Sequence, residues 1–373
     1  MSYWALTGRE RVTWKQSKPC SVPTVDGIHK RCIRVNRPEG GPVLVTGASG
    51  FIGSALMKSL RVRFSREVRG AVRTQTRHAG ASSDLVVVGE LGSHTDWRIA
   101  LDGINAVVHT AARVHMMHDR ASNPLEEFRR TNVVSTLNLA KQAVAAGVRR
   151  FIFLSSIKVN GTSTPIDRPF SATDRPMPED AYGVSKYEAE VGLRALGRET
   201  GLEVVIIRPV LVYGPRVKAN FRSMMSWIEK GLPLPLGSIE NSRSLVALDN
   251  LIDLLHLCLH HPAAPDNVFL VSDGEDLSTP ELLRRTAAAL GRPHRLVQVP
   301  ESVLRWSARL LGREELAERL LSSLRVDIEE TRVLLGWNPP VTVDEALKDT
   351  ARSFLDGDVA GRDNLETGMG GTV

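Results

Sequence analysis

From Pro42 onward the chain alternates short apolar runs with longer stretches of helical periodicity. Val43–Thr46, Glu67–Val72, Leu85–Val88, Ala106–His109, Phe151–Leu154 and Val204–Ile207 are dominated by β-branched and aliphatic side chains. Short runs of that kind predict buried strands. Between them, Ser54–Arg61, residues 126–147 and Ala181–Leu196 repeat apolar positions at helical spacing, as Leu137, Ala140 and Val144 do. Strands alternating with helices predict an α/β fold, a doubly wound parallel sheet covered on both faces. After about residue 215 the alternation breaks. Short helices expected over Ser223–Lys230, Asn250–His260, Thr279–Leu290 and Ser302–Leu311 mix with extended pieces. They read as a smaller C-terminal lobe over the carboxyl ends of the strands.

The ends differ from the middle. Residues 1–41 are basic, hold Pro19, Pro23 and Pro38, and show little periodicity. They read as a disordered extension without the apolar core of a signal peptide. Asp356–Val373 is rich in Gly, Asp and Thr and is expected to fray. The domain reading is therefore a nucleotide-binding domain over 42–215 and a substrate lobe over 216–355, with crossings back to the sheet.

Composition narrows the class. The chain has 373 residues, 42% hydrophobic and 24% charged, an ordinary globular balance. No apolar run approaches the roughly 18 residues that span a bilayer, so no membrane partner is expected. Cys20, Cys32 and Cys258 are odd in number and lack ligand spacing. They give neither a disulfide framework nor a metal site, and a cytoplasmic location is the simplest reading. The net charge of +6 is scattered and largely matched by acids. That pattern argues against nucleic acid and suits a phosphate-bearing small substrate.

The first strand runs into Gly47-Ala48-Ser49-Gly50-Phe51-Ile52-Gly53, three glycines spaced three apart before a helix. Backbone N–H groups at a helix N-terminus, with the helix dipole behind them, favour an anion. Gly47 allows the turn, Gly50 lets a phosphate approach, and Gly53 lets the helix sit close to the strand. The turn, with Ser49, Phe51 and Ile52, is the candidate pyrophosphate site of a dinucleotide. Its spacing differs from the Gly-x-Gly-x-x-Gly of long-chain dehydrogenases.

Tyr182 and Lys186 lie four apart in a predicted helix and share a face. A free tyrosine, with a pKa of about 10, is a poor base near neutrality. A nearby ammonium is expected to lower that value. Such a pair can move a proton at a carbinol oxygen while hydride moves to or from nicotinamide. Ser155-Ser156 end the fifth strand, where hydroxyls face the ligand crevice. Ser156 is expected to hold the reacting oxygen against Tyr182.

Together the glycine triplet, Ser156 and Tyr182-x-x-x-Lys186 resemble the extended short-chain dehydrogenase/reductases, within them the NAD-dependent epimerase/dehydratase family. The resemblance covers roughly residues 42–350 and implies a Rossmann fold acting on sugar nucleotides. Val107–Ala112 is similar to that family's His-x-Ala-Ala segment, which implies cofactor contacts at Ala111 and Ala112. Thr131–Thr136 resembles its Asn-Val-x-Gly-Thr helix, with Ser135 in place of glycine, and implies a supporting role for Asn132. Arg208–Pro215 resembles Arg-Pro-x-x-Val-Tyr-Gly-Pro, putting Pro209 beside the nicotinamide. Glu90 and Leu91 fall where the family contacts adenine. Asn220 and Arg243 match positions that hold the substrate diphosphate, and guanidinium suits phosphate. Leu335–Pro339 is similar to the family's Leu-Gly-Trp-x-Pro. Relatives often dimerise through two helices, here residues 126–147 and 181–196, so a homodimer is a possible assembly.

Cofactor and reaction are coupled. Strand two normally ends in an acid that holds the ribose 2′-OH of NAD, whereas Arg73 stands here and can accommodate a 2′-phosphate. NADP is thus slightly favoured over NAD. That favours a reductase of UDP-4-keto-6-deoxy sugars in surface polysaccharide synthesis. The alternative is a UDP-glucose or UDP-N-acetylglucosamine 4-epimerase. A non-catalytic nucleotide sensor is the minor reading, set against the retained Tyr–Lys pair.

Overall fold

The computed structural model describes residues 40–74, 84–113 and 123–366. The chain enters through β1 (Val43–Thr46), all of it buried, and the glycine turn into α1 (Phe51–Val62). It returns through β2 (Val68–Val72) and β3 (Leu85–Val87), then the short α2 (Arg98–Leu101), to β4 (Ala106–His109). Next come α3 (Pro124–Phe128), a π-helical turn (Arg129–Val134), α4 (Ser135–Ala145) and β5 (Arg150–Leu154). A single 3-10 turn (Ile157–Val159) leads towards α5 (Ala181–Thr200), followed by β6 (Glu203–Pro209) and β7 (Leu211–Tyr213).

The expected helix over 126–147 is thus broken by a wide turn. Asn132, buried, sits in it, where a widened turn can present one side chain out of helical register. α5 runs to Thr200, past the expected Leu196, and stops at Gly201 in the left-handed conformation (φ 75°).

The second half contains α6 (Ala219–Glu229), β8 (Arg243–Ala247), α7 (Leu248–Cys258), β9 (Val268–Val271), β10 (Asp276–Leu277) and α8 (Thr279–Ala289). It ends with α9 (Glu301–Leu310), α10 (Glu314–Leu321), α11 (Glu329–Leu335) and α12 (Val343–Glu366). The last helix carries regular structure through Glu366, where sequence alone predicts a fraying tail from Asp356. Ala346, Leu347, Ala351 and Phe354 bury one face. Once that packing has fixed the first turns, adding residues costs little. Of the extension expected over 1–41, residues 1–39 lie outside the described residues.

Seven parallel strands form the main sheet in the order β3-β2-β1-β4-β5-β6-β9. This is a doubly wound sheet whose order reverses between β1 and β4, the place where ligands enter. Alternate strand residues feed opposite layers, as the period of two requires. Val43, Val45, Val108, Ile152 and Ile207 pack with Leu56 and Leu60 of α1 and Leu251 and Leu255 of α7. Leu44, Val107, Phe151, Phe153 and Ile206 pack with Leu139 and Ala143 of α4 and Leu193 of α5. A small sheet, β10-β8-β7, forms the base of the second half. Its core joins Tyr213, Phe221, Leu245, Leu283 and Leu347.

The second half is therefore not a separate body. β9 closes the sheet against β6, and α7 covers a face of it. We expect one cooperative unfolding transition. Leu251→Ala, at a fully buried position of α7, should cost about 2–5 kcal/mol and shift that transition as a whole. Denaturant unfolding followed by circular dichroism tests this; two separate transitions would contradict it.

Candidate active site

The glycine turn is built as the spacing implies. Gly47 has φ 66°, and an added Cβ would lie 2.9 Å from the Ala111 nitrogen. At Gly53 a Cβ would stand 2.2 Å from the Gly47 carbonyl oxygen, so only glycine lets α1 come this close. Gly50 precedes α1 with no side-chain cap, and the first turn holds no acid. Uncapped amides at a positive helix end suit a phosphate.

Beside this turn opens a cavity of about 450 Å³. Gly47, Ser49, Gly50, Arg73, Glu90, Leu91, Ala111 and Ala112, all assigned to the cofactor from the sequence, line it. Phe51, Ile52, Gly53, Asn132 and Pro209 are not in its lining; they shape the turn, the helix and the strand behind it. The lining also includes Thr46, Trp97, Arg113, Arg130 and Thr131, which sequence reasoning missed. Trp97 is 1% exposed, and its indole N–H has no partner among the described residues. Buried donors normally find acceptors. An uncapped helix start, a turn only glycine can make and a buried donor in the lining fit a dinucleotide.

Ser156, Tyr182 and Lys186 come together where β5 meets α5. Ser156 begins the 3-10 turn, its Oγ accepting from the Lys158 amide at 3.3 Å. Its hydroxyl is near enough to the Tyr182 phenol to ease its ionisation. Asp180 caps α5 by accepting from the Gly183 amide at 2.6 Å, and Lys158 pairs with the same carboxylate. A Cβ on Gly183 would lie 2.6 Å from the Lys158 carbonyl oxygen. The residue after Tyr182 is glycine because the serine loop passes this close.

The proton chemistry differs from the expectation in one respect. Lys186 does not bring Tyr182 down. Burial, then the Asp180 charge, push the phenol up to about 12, while the Ser156 hydroxyl opposes them. Lys186 is itself 1% exposed, with Nζ 4.0 Å from the Phe153 ring centroid. Burial lowers it to about 7, against the pull of Glu190. A half-neutral amine cannot dominate a buried phenol. By themselves these residues hold Tyr182 protonated, ready to donate to a carbonyl oxygen. An oxidised nicotinamide held beside the pair would supply hydride-accepting chemistry and add the positive charge that favours the phenolate.

Two buried networks hold the site; His109, Asn132, Thr136 and Arg208 fall in segments read from the sequence, but the bonds that join them do not show there. In the first, Asn132 Nδ2 donates to Ser185 Oγ at 3.0 Å, which donates to the Tyr182 carbonyl at 2.8 Å. Asn132 Oδ1 accepts from the Arg113 amide at 2.8 Å. Thr136 Oγ1 gives its proton to the Asn132 carbonyl, so it accepts from His109 Nε2 at 2.9 Å. His109 Nδ1 then accepts from Thr46 Oγ1 at 2.7 Å. Burial, aided by Lys186, lowers His109 to about 3 and keeps it neutral. In the second network Arg208 grips Glu190 at 3.0 and 2.6 Å and donates to Asn160 Oδ1 at 2.9 Å. Ser155 Oγ also donates to Glu190. The sequence signal was Glu190 one turn after Lys186.

The substrate candidates lie in the second half. Arg243 opens β8 and donates from Nη1 to the Ser322 carbonyl at 2.9 Å. Burial lowers its pKa. Asn220 is exposed at the second residue of α6. Among the described residues no group of three or more His, Cys, Asp or Glu is placed to hold a metal ion.

Lys186 gives a pH test. Its folded value, about 7, lies below the ordinary 10.5. Between those values the unfolded chain holds a proton that the folded chain has lost, so stability rises with pH across the window. Lys186→Met should be more stable than the parent below pH 7, and the difference should shrink towards pH 10.5. Urea unfolding of both proteins without cofactor measures it; a constant difference would contradict the burial argument.

The chain matches the NAD-dependent epimerase/dehydratase family over residues 43–271. It is 48% identical over 316 residues to a UDP-glucose 4-epimerase of Vibrio cholerae, covering 84% of this chain and 95% of that one. It is 26% identical to an N-acetyl-α-D-glucosaminyl-diphospho-ditrans,octacis-undecaprenol 4-epimerase of Escherichia coli O157:H7, covering 72% and 77%. In fold it is similar to UDP-glucuronic acid 4-epimerase of Bacillus cereus in complex with NAD (TM-score 0.68, 20% identity, 84% and 99% covered). The glycine turn, the Ser–Tyr–Lys cluster and these matches agree: the chain belongs to the NAD-dependent epimerase/dehydratase family.

Proposed function

We propose that this protein is a UDP-sugar 4-epimerase acting on UDP-glucose or its N-acetylated counterpart. The observation that carries it is the 48% identity to the Vibrio cholerae UDP-glucose 4-epimerase along 95% of that enzyme. Sequence alone put the 4-keto reductase first and the epimerase second; this relative supports the reverse order. The Escherichia coli relative is also named as a 4-epimerase, of a sugar joined to a diphosphate. That shared chemistry supports Arg243 and Asn220 as diphosphate ligands.

The geometry supports the following roles. Gly47, Ser49 and Gly50 with the start of α1 would hold the pyrophosphate of the dinucleotide. Ser156 holds the C4 oxygen. Tyr182, against Ser156, would as a phenolate take the C4 hydroxyl proton and later return it to the C4 carbonyl oxygen, the nicotinamide supplying the hydride acceptor and donor. Lys186 would hold the nicotinamide ribose. Such positioned proton transfer contributes about 10²–10⁴-fold.

The reductase reading keeps one observation. Arg73 follows β2 and lines the cavity with Glu90, and it suits a 2′-phosphate. NADP preference belongs to this second reading, whereas the NAD-bound Bacillus cereus 4-epimerase supports NAD for the epimerase. Arg73→Asp should weaken NADPH binding far more than NADH binding in fluorescence titrations; equal loss would refute the assignment. The reaction itself is decided by product analysis. The protein with bound cofactor should convert UDP-glucose to UDP-galactose without added reductant, and Tyr182→Phe should lose about 100-fold in turnover. Stoichiometric NADPH oxidation with a UDP-4-keto sugar, without epimerisation, would overturn the epimerase in favour of the reductase.

A further inference from the structure

A charged pair flanks the Ser156–Tyr182 cluster without belonging to it. Lys158 is the middle residue of the 3-10 turn that follows Ser156. Its ammonium pairs with the carboxylate of Asp180, 22 residues on. Asp180 is the N-cap of α5, two residues before Tyr182. Its Oδ1 accepts from the Gly183 amide at 2.6 Å, and its Oδ2 meets Lys158. The backbone binds the same two segments. The Lys158 amide donates to Ser156 Oγ at 3.3 Å, and the Lys158 carbonyl oxygen lies 2.6 Å from where a Gly183 Cβ would stand. The residue two after Ser156 therefore holds, through its side chain, the residue two before Tyr182.

The charge on Asp180 works against the chemistry it supports. A carboxylate fixed near a phenol disfavours the phenolate, and Asp180 acts on Tyr182 in that direction. Yet the cap is needed, because the Gly183 amide opens α5 and has no earlier turn to bond. Lys158 is the cation placed on that carboxylate. The other charged groups around the phenol are engaged elsewhere. Lys186, on the same face of α5, is lowered by burial and lies against the Phe153 ring. Glu190 is gripped by Arg208, and Glu179 accepts from Thr162 Oγ1 at 2.6 Å. His109, beyond Lys186, is neutral. On the α3 side the Phe128 ring meets Tyr182 edge-on at 6.0 Å, and behind it Arg113 stands 3.8 Å from Glu127.

We propose that Lys158 is a positioning residue for the proton transfer: it ties the serine turn to the start of α5 and offsets the charge that the helix cap sets beside Tyr182. The cap then orients α5 without holding the phenol in its protonated form. Lys158 acts through Asp180 and touches no reacting atom. The two side chains are 30% and 31% exposed. Water screens them as they stand, and a sugar seated on Ser156 would exclude that water and strengthen the pair's effect. The inference rests on Tyr182 as the proton-transfer group of the proposed 4-epimerase.

The test follows Tyr182 ionisation in the NAD-loaded protein by the near-ultraviolet difference absorbance of tyrosinate. Tyr182→Phe counterparts subtract the other tyrosines. Lys158→Met should raise the Tyr182 midpoint by about one pH unit, and Asp180→Asn should lower it. Asparagine keeps the cap. The two substitutions together should return the midpoint to that of the parent, and Lys158→Arg, which keeps the charge, should leave it in place. The acid limb of kcat/KM for UDP-glucose should move in parallel. A merely structural tie would lower stability or turnover and leave the midpoint unmoved. That result, or a Lys158→Met shift that Asp180→Asn does not cancel, would overturn the proposal. Should Lys158→Met not fold, Asp180→Asn alone decides: a lowered midpoint supports the proposal and an unmoved one sinks it. Failure of the epimerase reading shows differently, as a parent that makes no UDP-galactose while the tyrosinate midpoints still move.

Discussion

The Glu190 carboxylate and the Arg208 guanidinium face each other with side-chain exposures of 3% and 4%. α5 carries Tyr182 and Lys186 at its start and Glu190 one turn later. It therefore turns a charged stripe inward, against the sheet, where an apolar stripe would be ordinary. A charge taken from water without a partner costs several kcal/mol, so Glu190 must meet Arg208 in one geometry. That geometry fixes the rotation of α5 about its axis and hence the direction of Tyr182. Ser155 and Asn160 bind the same pair. The loop bearing Ser156 is thus tied to the helix bearing Tyr182 through groups that take no part in proton transfer.

The cofactor side is arranged by exclusion rather than attraction. Gly47, Gly53 and Gly183 each stand where another atom is within 3 Å of the missing Cβ. Backbone brought this close leaves amides directed outward, and Gly50 leaves α1 without a competing cap. The hydroxyl and imidazole chain from Thr46 through His109 and Thr136 to Asn132 then links β1 with the π-helical turn. Neutral His109 suits this role, because a cation there would repel Lys186.

Much of this was legible in the sequence, because it rests on local patterns. Val43–Thr46 and Ala106–His109 are apolar runs whose strands match to the residue. The glycines and the i, i+4 pair of Tyr182 and Lys186 are short-range signals as well. What stayed hidden depends on contacts far apart in the chain. The break at Arg129–Val134 is a widening of hydrogen bonding that leaves side-chain periodicity nearly intact. Burial decided the direction of the Tyr182 and Lys186 shifts, and no spacing reports burial. β7 and β10 are two to three residues long, too short for periodicity, and β9, as long as β1, lies where the alternation of strands and helices has already broken.

β9 also bears on how the protein is made. β6 ends at Pro209, and the strand that covers its open edge is residues 268–271. During synthesis the whole dinucleotide half leaves the ribosome with β6 as an unpaired hydrophobic edge, for the time needed to add about sixty residues. Such an edge is a template for pairing with another chain. The nascent protein is therefore most vulnerable to misassembly after the glycine turn and β5 are made and before the last strand of the main sheet arrives.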